Sequence, residues 1–316
     1  LELSTPQLNA MSTAQFAALT TRQVAALSTA HIAALASSSL FAWSSRQILA
    51  LTSSQLPLLS SSQMAALSTS QVQALSSTQI SAYLDQFQIN AFGSAQIRAL
   101  KTSQVASLNT TQLAAFETAD LVALSTSQIQ ALRTWQIDSL SATHIAEFSS
   151  SQVAALNTTQ VQNLSQAQLE AFSTTHMNAL GSKQVSILSS TQIPFLSSSQ
   201  IAALKTSQMV ALTTNQLNLL DATQIQSFTT AQVASLSTTQ ISKLSSSALA
   251  ALETADLAAL STAQVAALTT TQIDEAISEV QIAALTSSQV NNLRSSQIAA
   301  LNTTLLAALE TTDVAA

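Results

Sequence analysis

An all-α solenoid, a superhelix of very short capped helices, is the fold class this sequence predicts, and three observations predict it. The 316-residue chain reads from end to end as eight-residue repeats. Within each repeat a Ser or Thr precedes a Gln by three positions, the spacing of a helix N-terminal cap. Apolar residues then recur three apart, which places them on one helical face. Two consecutive octads show the pattern: Thr20-Thr21-Arg22-Gln23-Val24-Ala25-Ala26-Leu27 and Ser28-Thr29-Ala30-His31-Ile32-Ala33-Ala34-Leu35. With slots numbered 1 to 8, the consensus is Ser/Thr, Ser/Thr, any, Gln, Ile/Val/Leu, any, Ala, Leu. There are 39 octads, and Gln holds slot 4 in 30 of them. The exceptions are His31, Ser39, Asp120, His144, His176, Ala248, Asp256, Leu305 and Asp313. The array runs over residues 1–316 without a linker, so the expectation is one continuous domain.

Each slot has a physical role. The slot 1 hydroxyl accepts from the slot 4 backbone N–H, and the slot 4 Gln reaches back to the slot 1 N–H. Ser28, Gln23, Gln88 and Gln281 are representative structural caps. Slots 5 and 8 are the buried face, and the Ala at slot 7 suits a close approach of neighbouring backbones. Period-2 alternation is absent, and Ala and Gln are poor strand formers, which argues against a β-stack. Each octad is therefore about one and a half to two helical turns, ending where the next Ser or Thr begins.

Two single-residue insertions, near Leu84 and Ile277, leave the cap spacing intact. Asp85 stands three before Gln88, and Ser278 three before Gln281, so the added residue falls at a helix C-terminus. Pro6 lies in a first turn, where proline is tolerated. Pro57 and Pro194 sit at slot 6, where proline removes a helical hydrogen bond, so these octads are expected to be locally repacked.

Such short helices are unstable alone, so the octads must stack as solenoid repeats do. Rare charges at slot 1 suggest the coil. Lys101, Glu117 and Arg133 follow at steps of sixteen with alternating sign, and Lys205–Asp221 and Arg294–Glu310 share that spacing. The expectation is two octads per 16-residue coil, with these side chains as inter-coil ion pairs. About 20 coils at helix-packing distances would make a rod or superhelix roughly 160–200 Å long.

Composition excludes several classes of function. Charged residues make up 8% of the chain, with a formal net charge of −6 and nine Lys+Arg in all. That cannot build the dense basic stripe nucleic acid requires, so no nucleic-acid partner is expected. Ser/Thr pairs interrupt every apolar run, so no membrane insertion is expected. The start, Leu1-Glu2-Leu3-Ser4, has no signal-peptide pattern. With no Cys there is no thiol chemistry.

Chemistry-bearing constellations are few. His31, His144 and His176 each replace the slot 4 Gln and read as capping substitutes. Glu-Thr-x-Asp recurs as Glu117–Asp120, Glu253–Asp256 and Glu310–Asp313, the nearest approach to a metal or cation site. One Asp and one Glu fall well short of the six to eight oxygens calcium takes, and acidic residues favour a helix N-terminus in any case. No Ser is set apart by a neighbouring base and acid, so no catalytic site and no cofactor is expected, and the chain is not expected to be an enzyme. The aromatics Trp43, Tyr83 and Phe92 fill slot 8 and belong to the core, whereas Trp135, at slot 3, is expected to be exposed.

The segment Leu3-Ser4-Thr5-Pro6-Gln7-Leu8-Asn9-Ala10 is similar to the opening helix of a repeat in TAL-effector DNA-binding proteins. That family has a longer repeat, a base-reading loop and basic residues, all missing here, so the likeness is that of one capped helix to another. The run Ala-Leu-Ser-Thr-Ala-Gln-Val-Ala-Ala-Leu-Thr-Thr-Thr-Gln-Ile, residues 259–273, resembles the octapeptide-repeat regions of very large secreted or surface, adhesin-like proteins of proteobacteria, and the resemblance covers the whole chain. It implies an extracellular or cell-surface location and export without a cleaved N-terminal signal. The expected function is an extracellular structural element: a stalk, spacer or fibre subunit that self-associates into a filament. The alternative is an adhesin presenting its Ser/Thr-rich face to a surface glycan or another cell. An ice-binding face is a weaker third reading.

Overall fold

The computed structural model describes residues 3–309. Backbone contacts divide the chain into two compact lobes, Leu1–Asn163 and Leu164–Ala316. Both are built from helices of a few residues, one per octad, and the described residues contain no strand. Thr126–Ala131 and Thr134–Asp138 illustrate the first lobe, and Thr206–Ala211 and Thr238–Lys243 the second.

Local sequence explains where each helix starts and stops. Ser125 is extended, at φ −70° and ψ 160°, and its side chain accepts from the Gln128 N–H. Seven residues later Leu132 is extended again, at φ −59° and ψ 135°. Slot 8 therefore ends one helix and slot 1 caps the next. This corner needs no left-handed residue, and none is found among the described residues, which explains how a chain with two glycines can turn so often.

The prolines and insertions deform single octads only. Leu56–Leu58 and Ile193–Phe195, each carrying a slot 6 proline, are 3-10 turns in place of α-helices. At the first insertion Gln79–Tyr83 widens into a π turn closed by Leu84. At the second, Thr270–Ala276 lengthens and is closed by Ile277. A wider or longer turn absorbs one residue without moving the next cap.

The coil differs from the sixteen-residue expectation. Packed helix pairs lie three octads apart: Ser94–Ala99 against Thr118–Ala123 in the first lobe, Thr238–Lys243 against Thr262–Ala267 in the second. Slot 2 hydroxyls confirm the register. Ser45 Oγ donates to the Ser70 carbonyl at 3.2 Å, and Ser182 Oγ to the Ser207 carbonyl at 3.0 Å, both 25 residues on. Side-chain amides then reach four octads back, as described below. One turn thus takes between three and four octads. Two octads do not close a turn, because the slot 4 side chain must arrive over the carbonyls of slots 5 and 8, and it meets them only 28 to 31 residues earlier.

Slots 5 and 8 form the core, as at Ile129, Leu132, Ile241 and Leu244; the slot 5 Ile298 is exposed, and the slot 8 Tyr83 is only half-buried because the inserted Leu84 takes its core place. Slot 4 is buried with them at most positions after the first three octads, although it carries a polar amide. The slot 7 alanines sit at the rim, and most, such as Ala131 and Ala211, are half-buried.

Candidate functional site

The side chain that organises both lobes is the slot 4 glutamine. Gln240 shows the arrangement in the second. The Ser237 N–H donates to Gln240 Oε1 at 2.8 Å, and the Gln240 N–H donates to Ser237 Oγ at 3.1 Å. Gln240 Nε2 then donates to the carbonyls of Met209, at 3.0 Å, and Leu212, at 2.8 Å. Those are the slot 5 and slot 8 carbonyls four octads earlier. In the first lobe Gln136 does the same, with its Oε1 accepting from the Arg133 N–H and its Nε2 donating to Val105 at 2.9 Å and Leu108 at 2.8 Å. One amide therefore caps the N-terminus of its own helix and the C-terminus of another. Across the Leu84 insertion the reach lengthens by one residue and the bonds persist, as at Gln96, which donates to Met64 and Leu67.

Sequence reasoning missed this second half of the amide. The signal was available: a capping box accepts Glu as readily as Gln, yet no octad has Glu at slot 4. An amide can accept on one side and donate on the other, which a carboxylate cannot. Gln23 separates the two roles. Its Oε1 accepts from the Thr20 N–H at 2.8 Å, its N–H donates to Thr20 Oγ1 at 3.2 Å, and it is exposed.

The other caps have comparable geometry. Asp85 and Gln88 exchange bonds at 3.0 and 2.8 Å, and Ser278 and Gln281 at 2.9 and 3.3 Å. Ser28 accepts from the His31 N–H at 3.2 Å and donates its own N–H to His31 Nδ1 at 3.3 Å.

At Asp120 and Asp256 the bridge is incomplete. The Glu117 N–H donates to Asp120 Oδ2 at 3.2 Å and the Glu253 N–H to Asp256 Oδ2 at 3.3 Å, but an ionised carboxylate has no proton for a carbonyl. Burial raises both carboxyls above the usual range, against the lowering effect of the backbone hydrogen bond, and the adjacent Glu117 or Glu253 raises them further. Burial lowers His144, offset in part by a hydrogen bond to the Phe116 backbone. Glu117 and Glu253 remain exposed, and Glu310 and Asp313 lie outside the described residues. Among the described residues no three metal-ligating side chains come together.

Among the described residues the sixteen-residue ion pairs are not formed. Lys101, Glu117, Arg133, Lys205 and Asp221 are all exposed at slot 1, and among the described residues none of them is in an ion pair. The packed helices are three octads apart, so residues two octads apart do not face each other. Arg294 is exposed too, and its expected partner Glu310 is outside the described residues.

Exposed aromatics are scarce, and two of them share a row. Phe87 is 67% exposed and Trp135 43%. Both stand at slot 3, on Gln86–Asn90 and Thr134–Asp138, with Thr110–Ala114 packed between those helices. Gln86, Phe87, Asn90, Thr110, Thr111 and Ser139 line a groove of about 600 Å³ beside Phe87; Trp135 stands outside that lining, on the helix that Ser139 ends.

Residues 2–29, 84–118, 113–149 and 249–278 match the family described as ALTTAQ repeat. With the helical octads, this match shows a repeat protein. No curated protein matches the chain. Among the described residues no helix is long and apolar enough to cross a membrane.

Proposed function

We propose that the chain is a structural repeat region displayed outside the cell, a stalk, spacer or fibre subunit. The observation that carries this reading is the slot 4 amide bridge. Where slot 4 is a buried Gln it ties its helix to one four octads away by buried hydrogen bonds, as at Gln136 in the first lobe and Gln240 in the second. Resistance is thereby distributed along the array instead of being gathered around one pocket, which suits a scaffold whose repeats contact only near neighbours.

Self-association into a filament is the second part of the proposal. Leu49, Val122, Val210 and Val280 are large apolar side chains left exposed, on a surface that 8% charged residues leave with little repulsion between copies. Electron microscopy and sedimentation of the purified chain over a range of concentrations test this. Extended particles that lengthen into fibres as concentration rises are the expected result. Compact particles that stay monomeric at every concentration would contradict it.

A further inference from the structure

We infer that the groove beside Phe87 is a binding site for a neutral oligosaccharide, a function beyond that of a spacer. Three features on one face carry the inference. The first is the row of slot 3 side chains Phe87, Thr111 and Trp135, 24 residues apart in sequence and on helices packed in succession. Two packing steps of 8–10 Å set the aromatic rings about 16–20 Å apart along the row, a span that takes several pyranose rings. Phe and Trp offer flat apolar faces, and the Trp adds one N–H donor.

The second feature is the polar lining. Gln86 and Asn90 present amides, each a donor and an acceptor, and Thr110 and Thr111 present hydroxyls that both give and accept. Among the described residues these four side chains make no hydrogen bond within the protein, whereas the slot 4 amides around them are fully engaged, as at Gln112 with Ile80 and Leu84. Vicinal sugar hydroxyls need this alternation of donors and acceptors.

The third is charge. The groove is lined by no Lys, Arg, Asp or Glu. An adjoining hollow of about 420 Å³, which shares Gln86, Phe87 and Thr111 with it, contains one charge, at Asp85. A phosphate or sulfate would find no cation in the lining and would meet a carboxylate beside it, so the site disfavours anionic ligands. The insertion at Leu84 accounts for the position of the groove. The octad that follows it carries Phe87 where most octads, Trp135 and Val280 among the exceptions, have a small or polar slot 3 residue such as Ser103 or Thr111.

Isothermal titration of the full chain with cellohexaose and with maltohexaose tests the inference. At least one neutral hexasaccharide should bind saturably, and Phe87→Ala should weaken it about tenfold, as expected for one lost aromatic contact. Trp135→Ala should weaken the same ligand, with unchanged circular dichroism in both variants, because both side chains are exposed. The inference is overturned if neither hexasaccharide binds, or if binding survives both substitutions. It is also overturned if Phe87→Ala instead changes the sedimentation of the ligand-free chain, which would assign this face to a second copy.

Discussion

Gln136 is fully buried and its amide serves two helices. Replacing it with Glu keeps the acceptor for the Arg133 N–H and loses the donor for Val105 and Leu108, leaving two carbonyls facing a carboxylate. Gln136→Glu should therefore cost about 2–3 kcal/mol in urea unfolding at neutral pH. Gln23→Glu should change stability by less than about 0.5 kcal/mol, because Gln23 makes only the cap bonds and an acidic residue suits a helix N-terminus. Asp120 is the natural counterpart, and its pH dependence has a definite sign. Its folded carboxyl titrates above the ordinary value of 3.8, so its contribution to stability is full below that value and is lost as pH rises through the raised one. Asp120→Gln should abolish this loss and add about 1 kcal/mol at pH 7, where it restores the donor. His144 has the opposite sign: its lowered value gives stability that is present above 6.5 and lost as pH falls through the folded value. The cap half of slot 4 was legible as Ser/Thr-x-x-Gln. The bridging half was not, because its partners lie four octads away and every octad is nearly the same.

Helices of four to seven residues do not hold alone, so each depends on its cap and on the core slots it contributes. Slot 1 is where single elements differ most. Ser125 and Ser237 cap through a hydroxyl, whereas Lys101, Lys205 and Arg294 stand at slot 1 with no side-chain cap and a positive charge beside the helix N-terminus. Lys205→Ser supplies the missing acceptor and removes the unfavourable charge. Thermal or urea unfolding should show a gain of about 1 kcal/mol; an unchanged midpoint would mean that these caps contribute nothing to the array. Element boundaries were well read from the sequence, including the disturbed octads at Pro57, Pro194, Leu84 and Ile277. The form of each disturbance was not, since a 3-10 turn, a π turn and a longer α-turn each accommodate a local change of register.

At the scale of the molecule, the repeat that makes the helices readable also conceals the coil. A sequence of period eight fits any whole number of octads per turn, and the markers that suggested sixteen, the slot 1 charges, are exposed and unpaired in the first lobe at Lys101, Glu117 and Arg133. What decides the coil is the distance at which slot 2 hydroxyls and slot 4 amides find carbonyls, and that is a property of the folded backbone. The chain has no Cys, so introduced thiol pairs report proximity without interference. Disulfide formation between Ser45→Cys and Ser70→Cys, and between Ser182→Cys and Ser207→Cys, should be rapid and complete in the native chain. The pair Lys101→Cys with Glu117→Cys should stay reduced under the same oxidant. Rapid linkage of the pair sixteen residues apart, with none across 25, would contradict a coil in which each octad packs on the third and is bridged to the fourth.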